Sequence, residues 1–308
     1  MSKKTASVVI TTKNRKTDLR KAIKSALEQN GVTEVIVLDD FSTDGTAAMV
    51  RDDFPTVRLY SFTESKGYIV RRNQGAKLAV GEIIFSIDDD AEFSNANVIS
   101  ETISEFSEPC IGAVAIPYID KKFGDEIKQM APDDRSLWVM GAFIGTSHAV
   151  KKDVFLKLGG YREILIHNTE ERDFCLRMLD AGYIVKIGRS SLIYHYQSPV
   201  RKSNWNRIME RRNDLIYAVC NIPLPYVAVH IPGTIVLGLL YGIKNKCIIE
   251  TIKGYFSFLS IFTSVMPMRN PVSCETYFLI RYLQKVGKCK YHDIESKLNE
   301  LKIKASLA

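Results

Sequence analysis

Over the first ninety residues, short apolar runs alternate with stretches of helical periodicity. Residues 7–11 read SVVIT, and residues 16–29 follow with Leu19, Ile23, Ala26 and Leu27 at helical spacing. A second run, EVIVL at 34–38, precedes a helix over 44–50 opened by an acidic cap at Asp44. A shorter strand is expected at 57–60, then a helix over 70–80 closed by Gly81, then the strand EIIFSI at 82–87. Strands so continuously apolar, separated by helices, predict an α/β fold with a mostly parallel sheet covered on both faces.

Beyond residue 110 the pattern is mixed. A strand is expected at 112–116, a helix at 151–158 ended by Gly159-Gly160, a helix at 170–181 ended by Gly182, and a strand at 183–187. From Ser203 onward the chain reads as helical, with apolar stretches at 227–243 and 248–266. The expected organisation is a catalytic domain over 1–200 and a helical C-terminal appendage over 201–308. No internal repeat or low-complexity linker interrupts it.

Several strands end in polar clusters. Ile10 leads into Thr11-Thr12-Lys13-Asn14-Arg15, Leu38 into Asp39-Asp40, and Ile87 into Asp88-Asp89-Asp90. Open α/β sheets bind ligands outside the carboxyl ends of their strands, so the three clusters are expected to line one crevice. Alternation along an extended segment points Asp88 and Asp90 the same way. Two carboxylates so placed suit a hard divalent cation that keeps open positions for diphosphate oxygens; an acidic loop capping a helix near Asn95 is the plainer alternative. Glu170-Glu171-Arg172-Asp173 opens a helix, where the dipole favours acidic side chains and where a general base is also at home. His195, just past a strand-like run, is either structural or a third metal ligand.

Other chemistries are excluded by spacing. Asp40 to Gly45 imitates the start of an EF-hand loop, but the twelfth position is Arg51 and a strand precedes it. No Gly-rich phosphate loop follows the first strand, which argues against a P-loop NTPase and a dinucleotide dehydrogenase. Six scattered cysteines without a C-x-x-C pair read as reduced thiols. The polar start before Ser7 leaves no room for a signal peptide, so a cytoplasmic location is expected. A net charge of +7 is compatible with phosphorylated substrates or anionic lipid, and no nucleic-acid partner is expected.

At this point the chain resembles the family 2 glycosyltransferases, which have the GT-A fold. The resemblance rests on SVVITTKNR (7–15), EVIVLDDFSTDGT (34–46), GYIVRRNQGAKLAVGEIIFSIDDDAEF (67–93), KKDVFLKLGGYRE (151–163) and EERDFCLRMLDAGY (170–183), in family order over roughly the first 200 residues. It implies that Thr12, Asp39 and Asp40 hold the nucleotide, with Arg72 and Asp88 beside it. Asp88 and Asp90 would be the D-x-D, with His195 reaching the metal, Mn²⁺ or Mg²⁺. Glu171 would be the catalytic base of an inverting transfer, with Glu170 and Asp173 near the acceptor and Asp173 the alternative base. The implied donor is a UDP-, dTDP- or GDP-sugar, and the implied acceptor a glycan or lipid-linked molecule of bacterial surface polysaccharide synthesis. The chain departs from the family where Thr11-Thr12-Lys13 replaces the common Pro-Thr-Tyr, removing a stacking surface for the base. The Q-x-x-R-W signature of processive synthases is absent, so one sugar per encounter is expected. A nucleotidyltransferase is the enzymatic alternative, although it would show a Gly-rich loop after the first strand; a non-catalytic adaptor is the other.

Two readings compete for the tail. The stretches 227–243 and 248–266 are either core helices or amphipathic elements at the inner face of the membrane. His230, Pro232 and several glycines break the first stretch, so no clean membrane span is expected. Arg201, Lys202, Arg207, Arg211 and Arg212, just upstream, are candidates to meet anionic lipid.

Overall fold

A computed structural model describes residues 4–197 and 203–307. The N-terminal half is a βα alternation: β1 (Ala6–Thr12), α1 (Lys16–Leu27), β2 (Val32–Asp39), α2 (Thr46–Asp53), β3 (Arg58–Ser61), α3 (Tyr68–Leu78) and β4 (Ile83–Asp88). Then come β5 (Ala91–Phe93), α4 (Val98–Ser104), β6 (Ile111–Ala115), β7 (Tyr118–Asp120), β8 (Ile127–Lys128), β9 (Trp138–Met140) and β10 (His148–Lys151). Next are α5 (Lys152–Lys157), α6 (Glu170–Asp180), β11 (Ile184–Ile187) and β12 (Ile193–His195). The C-terminal region holds α7 (Ser203–Asn221), α8 (Val227–Lys244), α9 (Ile248–Val265), α10 (Cys274–Val286), β13 (Cys289–Lys290) and α11 (Glu295–Leu307).

Nine strands form the main sheet in the order β13-β9-β11-β6-β10-β4-β1-β2-β3. Its β3-β2-β1-β4 half is parallel. The sheet is mostly parallel, as expected: in the other half β6 and β11 are parallel, and only β10, between β4 and β6, and β9, beside β11 and β13, run the opposite way. Strands β9, β10 and β13 are only two to four residues long, too short to print a period on the sequence, whereas β6 and β11 fall where strands are expected at 112–116 and 183–187. Both faces of the sheet are covered, as the continuous apolar strands require. Val8, Ile10, Phe85 and Ile87 join one core, while Val9, Ile36, Leu38 and Ile84 join the other. A smaller sheet, β5-β12-β7-β8, stands beside the acidic end of β4.

Helix α3 starts and stops two residues earlier than periodicity suggests. Gly81 lies beyond it, where a Cβ would sit 2.6 Å from the Ser7 backbone nitrogen.

The last hundred residues are not a detached appendage. Strand β13 extends the main sheet, and Leu279, Ile280, Leu283, Ile294 and Leu298 belong to its core. The expected boundary at 200/201 falls outside the described residues, as do Arg201 and Lys202.

Candidate active site

Strands β1, β2 and β4 run parallel, so their carboxyl ends converge. A cavity of about 660 Å³ opens there, lined by residues of all three strand ends, by the loop before α6 and by the end of β12.

The three aspartates after β4 divide their tasks. Asp89 turns inward, accepting from Thr12 Oγ1 at 2.8 Å and pairing with Arg15 at 2.8 Å. Burial, with Asp90 adding to it, pushes Asp89 up to about 7 against the opposing pull of Arg15. Asp88 and Asp90 instead converge with His195, with ligand atoms within 4.8 Å of one another. The smaller sheet brings this about: β12 pairs with β5 through His195 and Ala91, and with β7 through His195 and Asp120. His195 Nε2 lies 3.3 Å from Asp90 and 3.8 Å from Asp88, while its Nδ1 faces Asp120 at 3.7 Å. Burial opposes charge on this imidazole, but Asp90, Asp88 and Asp120 outweigh it and hold His195 above its ordinary value. Two carboxylates and one imidazole are a fitting donor set for a divalent cation.

Arg72 joins the two halves of the site. Its guanidinium is buried, donates to Asp88 at 2.6 Å, and lies 3.4 Å from Glu170 and 3.9 Å from Glu171. The adjacent Asn73 clamps the Gly160–Tyr161 turn through the Tyr161 N–H and carbonyl.

The two glutamates differ in access. Glu170 is fully buried behind the wall, whereas Glu171 keeps 20% of its side chain exposed and lines the cavity. Burial pushes both carboxyls up, Glu170 well above its ordinary range because the Glu171 charge adds to the effect. Gly145 leaves room for them: a Cβ there would meet Glu171 Oε1 at 2.1 Å. Asp173 is buried away from the cavity between Arg162, Arg177 and Asn221, tying α6 to its neighbours.

The expected nucleotide residues are placed unequally. Thr12, Asp40, Arg72 and Asp88 line the cavity, and Asp39 is buried with its carboxylate accepting from the Ser42 N–H. Asp40 accepts from Ser65 Oγ, the amides of Lys66 and Gly67, and Arg71 Nε; these bonds outweigh burial and hold it below the ordinary carboxylate range. It therefore fixes the Ser65–Gly67 turn in the cavity wall.

Arg15 lines the cavity, as expected of the polar cluster after β1, while sequence reasoning missed Asp120 and an aromatic rim. Asp120 carried a signal, since it ends an apolar run. The rim had none: Tyr68, His167 and Trp205 come from three separate segments, with ring centroids 5.5 and 5.1 Å apart.

The cleft thus lies at parallel strand ends of an α/β fold, with an Asp-x-Asp pair facing a carboxylate pair. The sequence model of Glycosyl transferase family 2 matches residues 7–162, and the chain belongs to that family. It is 22% identical over 209 residues to the O-antigen chain rhamnosyltransferase WbaN of Salmonella anatum, across 63% of this chain and 65% of WbaN, just under two thirds of that protein. In fold it is similar to the mannosyltransferase PcManGT of Pyrobaculum calidifontis, solved with GDP-Man and Mn²⁺, at a TM-score of 0.57 and 18% identity, covering all of this chain and 87% of that one. GalNAc-T7, solved with UDP, GalNAc and Mn²⁺, gives a TM-score of 0.55 at 17% identity, over 71% of this chain and 50% of that one. The fold is the GT-A arrangement.

Proposed function

We propose that the protein transfers a single sugar, with inversion, from a nucleotide-sugar donor to a glycan or lipid-linked acceptor in surface polysaccharide synthesis. The observation that carries this is the opening of Glu171 into the same cavity as Asp88, Asp90 and His195, with Arg72 spanning the distance between them. Fold relatives solved with GDP-Man or with UDP support a nucleotide-sugar donor, here a UDP-, dTDP- or GDP-sugar.

In this reading Glu171 accepts the proton of the acceptor hydroxyl as its oxygen attacks the anomeric carbon. The bond from that carbon to the diphosphate breaks on the opposite face, and its electron pair leaves with the diphosphate. Glu171 is the member of the pair that opens into the cavity, so it is the one placed to take that proton. Asp88, Asp90 and His195 would hold a divalent cation, which supplies charge neutralisation for the departing diphosphate. Arg72 stays charged and orients both Asp88 and Glu171. Lys13 and Arg15 add positive charge at the end of β1. The Tyr68–His167–Trp205 rim lies on the Glu171 side, where flat rings suit the apolar face of an acceptor sugar.

Glu171→Gln tests the assignment. Turnover is expected to fall about 10²- to 10⁴-fold, the usual worth of general-base catalysis, with donor affinity kept. Wild-type turnover in this variant would remove the base role from Glu171.

We also infer peripheral contact with a membrane surface through α8 and α9. Both are helices, as the apolar stretches require, yet they leave large side chains outside: Leu237 is 68% exposed, Phe256 67% and Leu259 62%. Averaged over 18 residues, Val227–Lys244 reaches a mean hydropathy of 1.5, long and apolar enough to cross a membrane by those measures, although no uninterrupted run predicts it. Lying along the surface fits better, because α8 and α9 also pack on α7. Gly254 lets α9 approach so closely that a Cβ there would sit 2.7 Å from Ile208 O. Arg212 is withdrawn from any lipid contact: it is buried and donates to Ile164 O.

A further inference from the structure

A second cavity, of about 330 Å³, lies between α7, α8 and α10, apart from the catalytic cleft. That is room for about ten water volumes. Its described wall carries three guanidiniums, Arg172, Arg211 and Arg281, against one carboxylate, Asp214. Asp214 is shared, 3.2 Å from Arg172 and 3.0 Å from Arg211. Glu210 meets Arg211 at 2.9 Å without lining the cavity, so an excess of positive charge survives the full count. Aromatic rings hold the guanidiniums in place: Arg172 lies over Tyr217 at 4.2 Å and Arg211 over Tyr241 at 5.2 Å, while Arg281 donates to the Tyr277 hydroxyl at 2.9 Å. The three arginines converge from different helices. Burial, together with the charges of Arg281 and Arg172, holds His230 in the same wall below its ordinary value.

The outer lip of this cavity is apolar. Leu237 and Tyr241 line it and are also exposed members of the α8 face described above. A cationic recess opening beside an apolar face matches a molecule with a phosphate next to hydrocarbon, and guanidiniums suit phosphate through paired N–H donors.

We propose that the cavity between α7, α8 and α10 binds the phosphate headgroup of an anionic membrane phospholipid, seating the enzyme on the bilayer. This rests on the membrane-surface reading of α8 and α9, and the test separates the two.

The full chain is titrated with dihexanoyl phosphatidic acid kept in monomeric solution. Saturable binding is expected, weakened at least tenfold by Arg211→Gln/Arg281→Gln and by no more than twofold by Lys244→Gln/Lys253→Gln, which removes equal charge outside the cavity. Arg281→Gln alone guards against a packing defect at Arg211, and is expected to weaken binding about fivefold, the usual worth of one basic group at a lipid surface. No binding to wild type, or equal losses in the arginine and lysine pairs, overturns the site. Equal affinity for inorganic phosphate overturns the headgroup assignment in favour of a free anion.

Co-sedimentation with vesicles of phosphatidylcholine, with and without phosphatidic acid, is the second arm. Wild type is expected to bind both, and the arginine pair to lose only the added affinity for phosphatidic acid. Binding to both that the arginine pair leaves untouched overturns the cavity alone. No vesicle binding by wild type overturns the membrane reading and the headgroup assignment with it.

Discussion

His148 illustrates how burial at one residue sets a property of the whole molecule. Its ring stacks on Phe143 at 3.9 Å and its Nε2 meets the Tyr161 hydroxyl at 3.0 Å, in the wall behind Arg72. Burial, with the nearby Arg72 charge, depresses His148 to about 3 from an ordinary value of 6.5. Between those values the unfolded chain binds a proton that the folded chain refuses, so stability rises with pH across the window and falls on acidification. The slope from this one group is at most about 1.4 kcal/mol per pH unit. Thermal unfolding followed from pH 7 to pH 4.5 is expected to show a declining Tm, with a shallower decline in His148→Gln. Parallel declines in the two proteins would contradict the assignment. At this scale the sequence was informative about Asp88, Asp90, His195 and Glu171, because each ends a strand or opens a helix that periodicity locates. The residue pattern alone did not rank Glu170 against Glu171, which only the family resemblance did, since the difference between them is depth in the wall. Nor could it see how fully Asp173 and Asp40 are occupied, because, apart from Arg177 one helical turn on, the partners of Asp173 lie 11 and 48 positions away in the chain, and those of Asp40 lie 25 to 31 away.

Between elements, the loop before α6 holds the proposed base in a strained conformation. Ile166, Asn168 and Thr169 have φ values of 59°, 63° and 76°, unfavourable for side chains with a Cβ and most so for the two branched ones. Asn213, buried on α7, offsets the cost by bonding the carbonyls of Leu165, His167 and Asn168. Asn213→Ala is expected to lower stability by about 1–3 kcal/mol, since buried carbonyls lose their partner. It should also speed amide exchange across 166–169 and reduce turnover; unchanged exchange in that loop would contradict this role. The parallel half of the sheet was legible because β1, β4 and the second half of β2 are covered on both faces and so carry nearly unbroken apolar runs. Strands β5 and β7 were not, and β12 showed only as a strand-like run before His195, although together these three-residue strands place His195 beside the aspartates. No local pattern encodes that pairing, which joins residues about a hundred positions apart.

Over the whole molecule, a polar catalytic cleft coexists with an apolar face built by α8 and α9. Those helices bury glycines and small residues against α7 and turn Leu237, Leu240, Phe256 and Leu259 outward. If that face meets lipid, Phe256→Ser/Leu259→Ser should weaken partitioning onto phosphatidylcholine vesicles by about tenfold or more, given about 1.5–3 kcal/mol for each large side chain fully buried. Equal partitioning of variant and wild type would leave the face without that role. The central claim concerns the cleft, and thermal unfolding tests it most directly. Wild type and Asp88→Ala/Asp90→Ala would be heated with UDP, GDP, dTDP or CMP, each with and without Mn²⁺. A ligand present at 100 times its dissociation constant adds about 2.7 kcal/mol to the folded state, an easily measured rise in Tm. The expected result is stabilisation by one nucleotide, in wild type alone and with Mn²⁺ alone. No metal-dependent shift with any of the four, or an equal shift in the double variant, would contradict the donor site formed by Asp88, Asp90 and His195.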